Sequence, residues 1–206
     1  EELFRVRQLF RDRLGIENIG VHVPPGSPGH SDDFLITADK NPNTRGADIL
    51  LPQSLESETL LRRCAEGRVR LLYIFQHDLM RGHEAQRVRD ALGKVDCVVF
   101  QGSWDQATAA CAHIQLPAAV YAEKDGTFTN VQGRVQRFHA AVPPLGESLP
   151  DLEILARLAS ALDVRLPRAP EAEVFGEIGN SFAAFAGMTY PALGSSGQLL
   201  KQESGK

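Results

Sequence analysis

The sequence predicts an α/β fold built on a parallel sheet. Two near-continuous apolar runs, Val69–Phe75 (VRLLYIF) and Val95–Phe100 (VDCVVF), bracket a helical pattern, HEAQRVRDALGK, that closes at Gly93. Runs without polar alternation suit strands covered on both faces, and a strand–helix–strand order suits a parallel pair with a right-handed crossover. A third observation is the stretch His113–Phe138. It alternates briefly to Leu116, stops at Pro117, turns at Asp125-Gly126, alternates at Thr127–Thr129, turns again at Asn130 and Gly133, and resumes at Val135–Phe138. This reads as an irregular loop folded into two short extended arms.

Taken in order, Leu3, Val6, Leu9, Phe10 and Leu14 fall at helical spacing and Gly15 ends the run. Ile16–Val23 is expected as a strand, and Pro24–Ser31 as a Pro/Gly/Ser loop before the short apolar run Phe34–Ile36. Asp39, Lys40, Asn41, Asn43, Thr44 and Arg45 crowd one turn, with Thr44 placed to cap the next helix. Ser54 is expected to cap a helix running to Glu66, closed by Gly67. His77 and His83 are expected at the surface. Residues after parallel strands collect at the carboxyl edge of the sheet, where open α/β folds bind ligands; here they are Gln76, His77 and Asp78, then Gln101, Gly102, Ser103 and Trp104. Beyond Pro143-Pro144, Pro150 opens a helix with Asp151 and Glu153 in its first turn and an apolar stripe of Leu152, Leu155, Leu158, Ala159 and Leu162. A linker, RLPRAPEAE, leads to a helix from Glu171 to Phe185 interrupted by Gly176 and Gly179, and a disordered polar tail is expected from Gly194. The expected division is residues 1–168 as the α/β domain and 169–206 as a helical extension and tail.

Composition limits the function. With 43% hydrophobic residues in 206, the chain can bury a sizeable core, and a net charge of −4 argues against a nucleic-acid face. No apolar run reaches the roughly 18 residues a spanning helix needs, so no direct membrane insertion is expected. Cys64, Cys97 and Cys111 are widely spaced and form no Cys-x-x-Cys pair, so neither an iron–sulfur nor a zinc site is legible. They read as packing residues, in a count that suits a reducing compartment.

The segment LPAAVYAEKDGTFTNVQGRVQRF resembles a motif of the molybdopterin oxidoreductase superfamily, which includes formate dehydrogenases, nitrate reductases and the large peripheral-arm subunit of NADH-quinone oxidoreductase (respiratory complex I). Asp33–Ala47 resembles a segment upstream of it in the complex I branch and its formate dehydrogenase relatives, Gly146–Leu162 resembles the helix that follows the loop, and the order is the family's. The resemblance implies a Rossmann-like parallel layer. It also implies a fragment of a longer chain, in keeping with the missing initiator Met, whose N-terminal part carries iron–sulfur clusters. In the complex I branch it implies a cofactor-free structural domain at the cytoplasmic side of a bacterial membrane, docked on other subunits of the peripheral arm. In the alternative, formate dehydrogenase-type branch, it implies a bound molybdopterin guanine dinucleotide, touched by Thr108, His113, Glu123, Lys124, Asp125, Gly126, Asn130, Gly133, Arg134 and Gln136. His113 stands where cofactor-holding members commonly carry Asp. Within the loop, Gly126 is expected to adopt a positive φ, and Arg134 is expected to be the main charged anchor, bonded to carbonyls or Glu123.

Overall fold

The computed structural model describes residues 1–22, 31, 32, 37, 39 and 41–201. Pro24–His30, Phe34–Ile36 and Lys40 lie outside the described residues. The chain opens with α1 (Glu2–Val6), which runs on as a π-helical stretch, Arg7–Arg13, and ends at Gly15 with φ +67°. In the described part of the strand expected over Ile16–Val23, only Gly20–Val21 (β1) pairs. Helix α2 (Thr44–Leu50) is preceded by Asn43 in the left-handed conformation, so Thr44 is its first residue and not its cap. Leu55–Glu56 forms β2, parallel to β1, which moves the start of α3 (Ser57–Ala65) past Ser54; Glu56 occupies the cap position without a side-chain bond.

The expected parallel unit is present. Strand β3 (Leu71–Phe75), α4 (Ala85–Leu92), β4 (Cys97–Gly102) and β5 (Ile114–Pro117) give a sheet of order β3-β4-β5, with both pairs parallel. Successive side chains of a strand point to opposite faces, and the burial follows that rule. Leu72, Ile74, Val98 and Phe100 pack against Leu61 and Cys64 of α3 and Val88, Ala91 and Leu92 of α4. Phe75, on the other face, meets the cluster of Val6, Leu9, Leu155, Ala159 and Leu166, while the Tyr73 ring lies 4.9 Å from that of Phe10. Of the cysteines, only Cys64 is fully buried.

The loop is a hairpin. Strand β6 (Gly126–Thr129) pairs antiparallel with β7 (Arg134–Phe138) across the Asn130–Gly133 turn. Gly133 has φ +81°, as its turn position demands. Gly126 does not have a positive φ; it is required because a Cβ there would meet the Phe138 ring at 2.6 Å. Helix α5 (Asp151–Ala161) buries Ile154, Leu155, Ala156 and Ala159, whereas Leu162, assigned to the apolar stripe, is half exposed just past its end.

Helix α6 (Glu171–Ser181) continues through Gly176 and Gly179 without a break, and α7 (Tyr190–Leu193) follows. The segment after Gly194, expected to be disordered, instead supplies β8 (Gln198–Leu199), which pairs with β7. Val174, Phe175, Ile178, Phe185, Tyr190 and Leu193 then share one core with Phe4, Leu50 and Val135. The tail is held because β7 would otherwise present an unpaired edge.

Phe175 is 1% exposed, with its ring 6.4 Å from Phe185 and 5.5 Å from Tyr190. Phe175→Ala should lower unfolding free energy by about 3–5 kcal/mol in a denaturant titration. It should also weaken hydrogen-exchange protection over β7. Protection lost only in α6 and α7 would show that the hairpin does not depend on that core.

Candidate functional site

The carboxyl edge of the sheet, the hairpin and the first turn of α5 converge on one buried carboxylate, Asp151, which is 0% exposed. Pro150 fixes the start of the helix, and as first residue of α5 Asp151 sits where the helix dipole favours a negative charge. Its oxygens accept from Gln76 Nε2 at 2.9 and 3.1 Å and from Gln101 Nε2 at 2.6 Å, and they pair with the Lys124 ammonium. Gln76 takes a left-handed φ of +51° just past β3, a strained conformation for a non-glycine residue that aims its amide at Asp151. Tyr73 Oη donates to Gln101 Oε1, and Ser103 Oγ lies 3.0 Å from Gln76 Oε1. Burial, aided by the charge of Asp151, pushes the Tyr73 hydroxyl pKa up, which keeps it a neutral donor.

Lys124 is shared. Its Nζ lies 2.7 Å from Glu2 Oε1 as well as against Asp151. Burial alone would lower the ammonium pKa, but Glu2 and Asp151 outweigh it and hold it above its ordinary value. Glu2 opens onto an adjoining cavity with 31% of its side chain exposed. Burial, and then Asp151, push its pKa up to about 7 against the pull of Lys124. The cavity, about 290 Å³, is lined by Gln76, Ser103, Trp104, the hairpin arm Lys124–Thr129 and residues of α6. Among the described residues, its charged lining is Glu1, Glu2, Asp125, Asp151 and Glu171 against the single cationic side chain of Lys124.

The residues singled out from the sequence divide into three groups. Lys124, Asp125 and Gly126 line the cavity. Asn130, Gly133, Arg134 and Gln136 lie on the hairpin away from it: Asn130 Oδ1 accepts from the Gln132 and Arg134 amides, and Gln136 is exposed. Arg134 is half buried and reaches the Ser196 and Gly197 carbonyls at 3.3 and 3.4 Å; Glu123 is not its partner. Such long, partly wet bonds do not make it the main charged anchor; Lys124 has that role. Glu123 instead accepts from the Val120 and Leu145 amides, and Asp125 from the Ala140 amide and Arg137.

Thr108 and His113 belong to the α/β layer. Thr108 is fully buried and donates to Asp78 Oδ1 at 2.5 Å. His113 is exposed, and its Nδ1 accepts from the Val98 amide at 2.9 Å, a bond that aligns β5 with β4. Sequence reasoning missed Glu2 and gave Asp151 only a dipole role. The signal for Asp151 was an acid directly after Pro150, between Leu149 and Leu152. Nothing local marked Glu2. Among the described residues, no group of three or more His, Cys, Asp or Glu is placed to hold a metal.

Comparison with known proteins agrees with this architecture. A family model for molybdopterin oxidoreductase matches residues 24–161. The chain is 36% identical over 154 residues to the F420-dependent formate dehydrogenase 2 subunit alpha of Methanococcus maripaludis, covering 73% of this chain and 23% of that one. It is 30% identical over 192 residues to a subunit of NADH-quinone oxidoreductase from Rhizobium meliloti, covering 90% of this chain and 22% of that one. The chain therefore spans under a quarter of the length of either relative. Among solved structures, acetylene hydratase from Pelobacter acetylenicus superposes with a TM-score of 0.57 at 18% identity, covering 72% of this chain and 21% of that one, a likeness of fold.

Lys124→Met should cost about 3–5 kcal/mol in urea unfolding, because it leaves Asp151 buried and charged. Adding Asp151→Asn should recover part of that loss, and no recovery would show that the pair is not the source. The pH dependence follows from Glu2. Its folded pKa lies above the ordinary value of 4.5, so the folded state holds its proton more tightly than the unfolded state. Its contribution to stability should therefore decline as pH rises from about 4.5 to about 7 and level off above, and Glu2→Gln should flatten that slope.

Proposed function

The chain belongs to the molybdopterin oxidoreductase family, and we propose that within it this segment is a cofactor-free structural domain of the large peripheral-arm subunit of an NADH-quinone oxidoreductase. On this reading it supports electron transfer from NADH to quinone by scaffolding. Iron–sulfur clusters in the N-terminal part of the whole chain carry the electrons. Its partners are other subunits of a peripheral arm on the cytoplasmic face of a bacterial membrane. Among the described residues no helix is long and apolar enough to cross a membrane.

The observation that carries this reading is the charge of the cavity. A molybdopterin dinucleotide brings phosphates, which need N–H donors and positive charge. The cavity offers five carboxylate side chains and one side-chain ammonium, and that ammonium already serves Glu2 and Asp151. The other polar groups of the motif are spent on the fold: Glu123, Asp125, Asn130 and Arg134 all bond to backbone or to neighbouring side chains. The lining of this cavity is a poor match to the phosphate end of that cofactor, which supports the cofactor-free reading. Coverage supports the same branch, since the match to the NADH-quinone oxidoreductase relative extends over 90% of the chain.

The second reading, a cofactor-binding portion of a formate dehydrogenase-type molybdoenzyme, has the higher identity of 36% in its favour. Elemental analysis of the purified full-length protein separates the two. The expected result is no stoichiometric molybdenum, with no molybdopterin guanine dinucleotide released on denaturation. Stoichiometric molybdenum would replace the scaffold reading with the second.

Arg134→Ala adds an independent check. It should cost about 1 kcal/mol of stability, the value of a modest hydrogen bond, with a full complement of partner subunits retained in pull-downs. An unchanged melting profile together with lost dinucleotide binding would favour the cofactor reading.

A further inference from the structure

His77 and His83, expected at the surface, are packed with His22 in a cluster whose His77 directly follows Gln76 and which, among the described residues, shares no hydrogen bond with Asp151. The His22 and His77 rings are 4.4 Å apart, and those of His22 and His83 are 5.4 Å apart. Ser57, the first residue of α3, lies between two of them: its Oγ is 2.6 Å from His22 Nδ1 and 3.1 Å from His83 Nε2. A serine hydroxyl has one proton, so it donates to one ring and accepts from the other.

Glu58 fixes the direction. Its carboxylate is 3.5 Å from His83 Nδ1, which places the His83 proton there. His83 Nε2 then accepts from Ser57, and Ser57 accepts from His22 Nδ1–H. His22 is left with a bare Nε2. That atom is buried without a partner among the described residues, and so is His77 Nε2. The His22 ring lies directly on Gly82, where any Cβ would collide with it.

We infer that His22 and His83, joined through Ser57, and His77, packed on the His22 ring, form an acid-sensitive latch holding β1 against the carboxyl end of β3, and that protonation of the cluster frees β1 while the three cores stay folded. The cluster binds three chain segments: His22 directly follows β1, His77 follows β3, and His83 precedes α4. Strand β1 has little else to hold it, since its pairing to β2 is two residues long.

A proton on His22 Nε2 or His77 Nε2 would create a buried cation with no acceptor among the described residues. The surrounding charges among those residues do not provide one. Asp78 is committed to Thr108 and the Met80 amide, and Glu58 is paired with Arg87. Arg81 and Arg62 add positive charge nearby. Burial, and then the neighbouring His22, hold the His77 pKa down to about 4, while burial and then His83 lower that of His22. Folded pKa values below the ordinary 6.5 mean that the closed latch binds fewer protons than the open one. Closure is therefore complete above about 6.5 and weakens progressively as pH falls toward 4. Glu2 acts in the opposite sense, because its protonation stabilises the fold, so the two effects are separable by sign.

The test is hydrogen exchange on the chain, corrected for intrinsic rates, together with a histidine-ring NMR titration. Between about pH 7 and pH 4.5, peptides over residues 16–22 should lose protection by on the order of 10–100-fold, while β4 and α6 keep theirs. The His22 ring signal should titrate below 6.5 and that of His77 near 4. His77→Phe keeps a ring in place but cannot titrate, and it should reduce the loss over 16–22 at least several-fold. Any of three results would overturn the latch: rings titrating at their ordinary value, opening of 16–22 and β4 together, or an unchanged pH response in His77→Phe. Stoichiometric zinc binding to the cluster at neutral pH would instead make it a metal site.

Discussion

The structure depends on a buried charge that cannot be left alone. Asp151 is fully excluded from solvent, and an isolated carboxylate there would cost several kcal/mol. Three separate pieces of chain satisfy it: Gln76 after β3, Gln101 in β4, and Lys124 from the segment that leads into the hairpin. Meeting that requirement fixes the position of α5 against the sheet and of the hairpin against both. Glu2 brings the N-terminal helix to the same point through Lys124. Packing alone tolerates small sliding of helices over a sheet. A set of charge-assisted bonds converging on one carboxylate does not.

The same network occupies part of the carboxyl edge of the sheet. That edge is where α/β folds place ligands, and here two of its side-chain amides, Gln76 and Gln101, bond Asp151. Gln76 holds a strained backbone to do so, and Ser103 is tied to Gln76 and Ala119. What remains open beside it is an acidic cavity whose single cationic side chain, among the described residues, is already shared between two carboxylates.

The motif segment shows how one local pattern can serve two purposes. Its turns and arms are readable because turn residues and two-residue alternation act over a few positions, and they fold as β6 and β7. The reason for Gly126 is not readable. Its need comes from Phe138 across the hairpin, a contact that exists only once the register is set. Arg134 carries less than its setting in the sequence suggests, for a similar reason. Its apolar neighbours point to burial, but its side chain leaves the hairpin toward the carbonyls of Ser196 and Gly197.

By itself, the sequence determined the parallel β3-α4-β4 unit, the hairpin, most helices and the family, because periodicity and turn chemistry are local and this motif is long. Only the tertiary structure decided that Asp151 is the hub and Lys124 its partner, that Glu2 joins them, that the polar tail after Gly194 completes a sheet, and that His22 joins His77 and His83 in one cluster. The physical reason is that burial and charge pairing are properties of position in space. A carboxylate after a proline, a glutamate near the start of the chain or a histidine after a strand looks like a surface residue until another segment of chain covers it.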